Sequence, residues 1–499
     1  ELTGRFRAET LTVVLPSGWT VRDQYPIDQA LVQIVEDERG RGLYLIHDPP
    51  LSREEHTVYS ILMENIFFSL KPLAKVEDPL RHVESFIWEA AEELGLVEQV
   101  KQALPKYRYY IARDAFGYEK IHVPMMDPDV EEIGITAWNK PVALVHRRFT
   151  EYDWLFTNIT YHSEEELRNF VQRLAQKTGK TVTVAKPILD TMTREGDRIA
   201  ITFADEVSRP GTTLAIRKFP REPLPLSYII KAGTLTPLMA AYLWIMTEQK
   251  KYIIVIGPMA SGKTTLLGSL LSTIPPTRKI GTVEDTPELR VPHEMWESLK
   301  TRSMWGVSEE ASTFEVDLFG LVKAMLRFRP DYIVVGEVRG EEIVALNQAA
   351  LLGHGCLTTF HAESPEAALA RLRVSPLNVP EGHLLIITCF AMTNRVQLHG
   401  GTWARRCLEI AEIEPKEYNG TVRATPRRIF EWNPRTDTFT PDDPWEVVKR
   451  SYKFNEVKRI TGWTDEELAE ELRTRAEYLQ RIVEEGKLKF NDFTHAIED

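Results

Sequence analysis

The nine residues GPMASGKTT, 257–265, constrain this chain more than any other stretch. They fit the pattern GxxxxGK[ST]. A strand-like run, KYIIVI, leads straight in, and a helix-like run, KTTLLGSLL, leads straight out. That context gives each residue type a task. Gly257 and Gly262 let the backbone curl, so that the N–H groups that follow Pro258, on Met259, Ala260 and Ser261, face phosphate oxygens. The start of the following helix adds its positive end. Lys263 has the reach for β- and γ-phosphates, and the hydroxyl of Thr264, next to Thr265, suits a magnesium ion. A strand–loop–helix unit of this kind demands a parallel sheet covered on both faces. Four short apolar runs, YIIVIG, KIGTVE, YIVVG and CLTTF, supply its strands.

In such a sheet, ligands sit beyond the carboxyl ends of the strands. Three further strand ends carry chemistry. YIVVG runs into Glu337, an acid able to orient a water or hold one on the metal. KIGTVE runs into Glu284, Asp285 and Glu288; one carboxylate there suits a general base and another the metal's outer sphere. CLTTF ends at His361, an imidazole placed to sense a γ-phosphate by hydrogen bonding. His354, just before that strand, is equally open to a structural reading. Glu341 and Glu342 suit the first turn of the next helix.

The rest of the chain divides by punctuation. Residues 1–120 mix strands with two helices, 53–70 and 81–96, and show no chemistry; an accessory or docking domain is expected. Residues 121–218 read as an α+β domain. It includes a helix capped by Ser163 with Glu166 as its capping-box partner, and a hairpin made by DRIAITFA and TTLAIRKF. Pro220, Pro223, Pro225 and Pro237 make 219–237 a linker and a candidate hinge. The phosphate-binding domain spans 238–415. The tail, 416–499, opens with a hairpin and ends in helices, one capped by Thr464 and Glu467 and stopped at Gly486.

Composition narrows the function. A net charge of −12 argues against a broad nucleic-acid footprint. The three cysteines, Cys356, Cys389 and Cys407, form no CxxC pair, so neither a zinc knuckle nor a disulfide framework is expected, and a reducing cytoplasmic setting is. The most apolar stretch, LMAAYLWIM at 238–246, is too short to span a bilayer, and no signal peptide is expected.

Together, GPMASGKTT, TVEDTPEL, RPDYIVVGEVRGEE and GHGCLTTFHAES resemble the Walker A loop, Asp box, Gly-Glu Walker B and His box of the type II/type IV secretion ATPases. LRFRPDYIVVGEVRG and RIFEWNPRTDTF resemble the archaeal branch, with its archaellum and archaeal pilus motors. The lack of a four-cysteine zinc motif points the same way. The resemblance implies a RecA-like motor domain preceded by an α+β, PAS-like domain, and a hexamer. It implies ATP and Mg²⁺ as ligands, the latter held through Thr264 and Glu337, with Glu284, Glu288, Glu337 and His361 as catalytic groups. It further implies arginines from the N-terminal side closing over the nucleotide, for which Arg198 and Arg217 are the candidates; Arg302, Arg327 and Arg339 are further ones. The implied partners are a polytopic membrane platform protein and pilin-like machinery, reached from the cytoplasmic face of the membrane, with no direct nucleic-acid contact. The work implied is assembly or rotation of a pilus-like or archaellum-like filament, or type II-like secretion. A conjugative traffic ATPase and a nucleotide-gated scaffold that scarcely hydrolyses remain the alternatives.

Overall fold

The computed structural model describes residues 8–13, 15, 17–69, 79–149, 151–219, 222–291, 293–302, 316–399 and 401–498. The chain forms two compact units, Glu1–Arg221 and Glu222–Asp499.

The first unit is built on a nine-stranded sheet. Its strands are β1 (Trp19–Ile27), β2 (Ala30–Asp37), β3 (Gly42–His47), β4 (Val130–Ile135), β5 (Ala143–His146), β6 (Leu155–Thr157), β7 (Ile188–Met192), β8 (Arg198–Thr202) and β9 (Thr213–Arg217). They lie in the order β1-β2-β3-β6-β5-β4-β9-β8-β7, antiparallel except for β3 beside β6. Strands from either side of residue 120 thus share one sheet, and a single apolar core runs from Ala8 to Ile216. Helices fall at Arg53–Ser69 and Pro79–Leu94, where the apolar spacing predicts them, and β8 and β9 pair as the expected antiparallel partners. The helix Glu164–Lys177 starts at Ser163, whose hydroxyl accepts from the Glu166 N–H. Its cap departs from the predicted box in one respect: the Glu166 carboxylate accepts from the N–H of His162, one residue earlier, at 2.6 Å.

A buried polar cluster fixes the middle of this sheet. The hydroxyls of Tyr25 and Tyr44 both donate to Asp127 Oδ2, at 2.7 and 2.8 Å, and the Asp129 N–H donates to Asp127 Oδ1. His146 Nδ1 accepts from the Arg148 N–H, so its proton sits on Nε2, 3.0 Å from the Tyr25 oxygen. Asp127, Asp129 and His146 are close enough together to hold a cation. Asp127 already accepts from three donors, and Arg148 Nε pairs with Asp129 at 2.7 Å. The cluster is a hydrogen-bonded keystone.

The second unit carries β10 (Tyr252–Ile256), β11 (Ile280–Glu284), β12 (Trp296–Lys300), β13 (Tyr332–Val335), β14 (Gly355–Phe360), β15 (Cys389–Gln397), β16 (Trp403–Tyr418), β17 (Thr421–Asn433) and β18 (Thr438–Thr440). The order is β12-β11-β13-β14-β10-β15-β16-β17-β18, parallel from β12 to β15 and antiparallel thereafter. This is the expected α/β, RecA-like sheet, extended by the hairpin strands of the tail. The four apolar runs are fully buried strands, and their alternate residues face two separate cores. Ile253 and Val255 join one; Ile254 and Ile256 join the other.

LMAAYLWIM lies in the helix Pro237–Glu248, capped by the Thr236 hydroxyl, and is apolar all round because it is buried all round. The predicted stripe on the tail helix Asp465–Glu484 packs into the same core through Leu468, Leu472, Leu479 and Ile482. That helix has the predicted reciprocal capping box at Thr464 and Glu467. In the Pro-rich segment, Pro223 and Pro225 precede a short helix, Leu226–Lys231; Pro220 lies outside the described residues. Among the described residues, no helix is long and apolar enough to cross a membrane.

Candidate functional site

The chain leaves buried β10 at Ile256 and turns sharply at Gly257, whose φ is +153°. A Cβ there would stand 2.2 Å from the Thr393 carbonyl and 2.6 Å from Ser261 Oγ, so only glycine fits. Ala260 and Gly262 also take positive φ, +57° and +92°, and the helix Lys263–Leu271 follows. The loop thus curls as the motif requires. Met259 is 83% exposed at its crest, whereas Ser261 and Lys263 are buried. The Lys263 ammonium donates to the Pro258 carbonyl at 2.7 Å and lies 3.3 Å from His361 Nδ1.

His361 follows the end of β14, and its other nitrogen faces β13. Nε2 lies 2.7 Å from Glu337 Oε1, out of line for a good hydrogen bond. Glu337 Oε2 accepts from Arg339 at 2.6 Å. Burial, and then the Lys263 charge, hold the His361 pKa below its ordinary value, so the ring is neutral at pH 7. A lysine only donates, so Nδ1 accepts from it and the ring proton sits on Nε2, toward Glu337. One imidazole thus links the phosphate-loop lysine to the acid that follows β13.

The acidic turn after β11 adjoins the end of β13. Glu284 is 2% exposed. Its Oε1 accepts from the N–H groups of Glu288 and Leu289, at 2.8 and 3.0 Å, and its Oε2 has no hydrogen-bond donor among the described residues. Burial pushes its pKa up from an ordinary 4.5 to about 7. Its side chain fills the space over Gly336, where a Cβ would stand 2.9 Å from Glu284 Cγ. The Gly-Glu ending thereby acquires a physical reason: the glycine makes room for the neighbouring strand's acid. Asp285 is exposed and Glu288 half-buried. Glu342 accepts from the N–H groups of Arg339 and Gly340 and closes the turn into the helix Glu342–Leu351.

These residues also have the character of a cation site. Glu284 Oε2 and Glu337 Oε1 are buried carboxylate oxygens with no aligned donor among the described residues, and the Thr264 hydroxyl stands on the first turn of the loop's helix. Hard oxygen ligands of this kind suit magnesium.

His354 stands at the opposite end of β14 from His361 and bonds the Pro330 carbonyl, a structural contact. Arg198 and Arg217 are cross-strand partners on β8 and β9 of the first unit; Arg198 pairs with Asp190 at 2.6 Å and Arg217 stands 3.9 Å from Glu132. Arg327 is exposed, and Arg302 bridges to Val316.

Two residues next to the loop carry no motif. Thr393, on β15, has its hydroxyl 3.2 Å from Ser261 Oγ. Arg405, on β16, donates from Nε to the Ala260 carbonyl at 3.4 Å. Only strand pairing brings them there, and pairing over such sequence distances leaves no local mark.

A family model described as "Type II/IV secretion system protein" matches residues 142–384. The chain is 32% identical over 489 residues to the uncharacterized protein MJ0900 of Methanocaldococcus jannaschii, covering 92% of this chain and 85% of the relative. It is 34% identical over 224 residues to a putative conjugal transfer protein of Mycobacterium tuberculosis, covering 43% of this chain and 62% of that one. Among solved structures, the Legionella pneumophila ATPase DotB is similar at 18% identity, with 76% of this chain and 94% of that chain covered and a TM-score of 0.42.

Proposed function

The chain belongs to the type II/IV secretion system protein family, and from that premise we propose that it is a ring-forming ATPase that powers assembly or rotation of a pilin-like filament at the inner face of the membrane. The observation that carries the reading is the Lys263–His361–Glu337 chain, which joins the ends of three neighbouring strands around one phosphate loop.

The loop's N–H groups and Lys263 bind the β- and γ-phosphates. Thr264 and Glu337 are the residues that would hold magnesium, which neutralises phosphate charge when bound. His361, neutral and with its proton on Nε2 beside Glu337, reports the γ-phosphate through Lys263, while Arg339 holds Glu337. Glu284, with a pKa near neutrality, accepts the proton of the attacking water as the water oxygen bonds to the γ-phosphorus and the bond to the β-phosphate oxygen breaks. The products are ADP and inorganic phosphate. Subunits act as a hexamer and reach the membrane through a polytopic platform protein.

Steady-state ATP hydrolysis tests this reading. Lys263→Ala is expected to abolish turnover, and unchanged hydrolysis in that variant would end it. Similarity to a putative conjugal transfer protein favours a second reading, a traffic ATPase for DNA or protein. Stimulation of hydrolysis by DNA, and not by a membrane platform protein, would select it over the first. The net charge of −12 weighs against it.

A further inference from the structure

The phosphate loop has two sides, and the Lys263–His361–Glu337 chain occupies only one. In the sheet order β13-β14-β10-β15-β16, His361 and Glu337 belong to β14 and β13, on one flank of the loop strand β10. With the γ-phosphate end assigned to Lys263 and Glu337, the other flank of the loop, over β15 and β16, is a side on which a nucleoside end would lie.

That flank is furnished. Along β15, Thr393, Arg395 and Gln397 pair with Cys407, Arg405 and Trp403 on β16, so these side chains share one face. It is the face of the loop, because Thr393 touches Ser261. Arg405 lies across the loop itself: its Nε donates to the Ala260 carbonyl, and a Cβ on Gly262 would meet its Cδ at 3.1 Å. Beside it, the Arg395 guanidinium stands 4.7 Å from the centre of the Trp403 ring, a cation–π stack. All three side chains are half-buried.

We propose that Arg405, with the Arg395–Trp403 stack beside it, forms the nucleoside-side wall of the nucleotide site. Arg405 binds the sugar-proximal phosphate, and the stack offers the base a flat face. The inference rests on the reading of this loop as a nucleotide site and extends it to which end of the ligand lies where. The chemistry suits the task. A guanidinium binds phosphate through charge-assisted hydrogen bonds, and indole and guanidinium planes stack on any base.

Calorimetric titration of the full chain with magnesium ADP, magnesium ATP and magnesium pyrophosphate tests it. Pyrophosphate reports the Lys263 end alone. Arg405→Gln and Trp403→Ala are expected to weaken ADP and ATP binding by about tenfold or more and to leave pyrophosphate binding as in the wild type. Arg395→Gln, which removes half of the stack without touching the loop, is expected to weaken the nucleotides in the same pattern to a smaller degree. Wild-type affinities in Arg405→Gln and Trp403→Ala would overturn the assignment. Equal losses for nucleotide and pyrophosphate would overturn it too, since the residues would then only shape the loop. If the wild-type chain binds none of the three ligands, the nucleotide reading itself fails, and the wall with it. Wild-type binding of nucleotide with indifferent variants removes the wall alone. Circular dichroism melts of each variant separate loss of binding from loss of fold.

Discussion

Gly336 and Glu284 make one unit of two strands. A methyl group on residue 336 would press on Glu284 Cγ at 2.9 Å and Oε1 at 3.1 Å, inside a packed edge where little can move. Gly336→Ala is therefore expected to cost about 1–3 kcal/mol of stability in denaturant melts and to depress ATP turnover, by displacing the acid rather than removing it. The acid's own titration gives a second expectation. Below pH 7 Glu284 holds its proton and cannot take another, so turnover should rise as pH passes through about 7. Glu284→Gln should lose both the rise and most of the rate. Stability moves the other way. The folded chain keeps this proton up to about 7, while the unfolded chain loses it near 4.5, so the native state binds more protons across that window and loses stability as pH climbs through it. Glu284→Gln is spared that loss. Above pH 7 it should be more stable than the wild type by about 1–3 kcal/mol, at about 1.4 kcal/mol per pH unit. Melts at pH 5 and pH 8 check the crossover.

At the scale of elements, what could be read in the sequence was what is local. The strand ends at Ile256, Glu284, Val335 and Phe360, and the caps at Thr464 and Ser163, lie in contiguous stretches whose spacing carries their own signal. Glu166 shows the limit of that reading, since a carboxylate three residues on can take the N–H before the cap as readily as the cap's own. Pairings across distance carry no such signal: Thr393 against Ser261, Arg405 against Ala260, or β3 beside β6 within a sheet that spans the first unit. The β16 strand has a second feature of this kind. Glu412, fully buried, accepts from the Tyr242 and Ser451 hydroxyls and from the N–H groups of Tyr452 and Lys453. Burial raises its pKa even so. Glu412→Leu would strand four donors and is expected to destabilise the chain by about 3–5 kcal/mol in chemical melts. Glu412→Gln, which keeps an acceptor, should cost clearly less.

For the whole molecule, each unit has a core of its own, one beneath the nine-stranded sheet of 1–221 and two flanking the parallel sheet of 222–499. Residues 222–499 expressed alone are expected to unfold in one cooperative transition with native-like near-ultraviolet dichroism; a broad, non-cooperative melt would contradict this. The same unit holds a mechanical consequence. Arg405 and Glu412 sit on one strand, seven residues apart with a bulge between them. One end rests on the phosphate loop, and the middle is held by Tyr242 of the helix Pro237–Glu248 and by Ser451 at the end of the tail helix Pro444–Arg450. A shift of the tail at Ser451 is therefore expected to reach the loop through β16, and Glu412→Gln, which loosens that anchor, to change nucleotide affinity as well as stability.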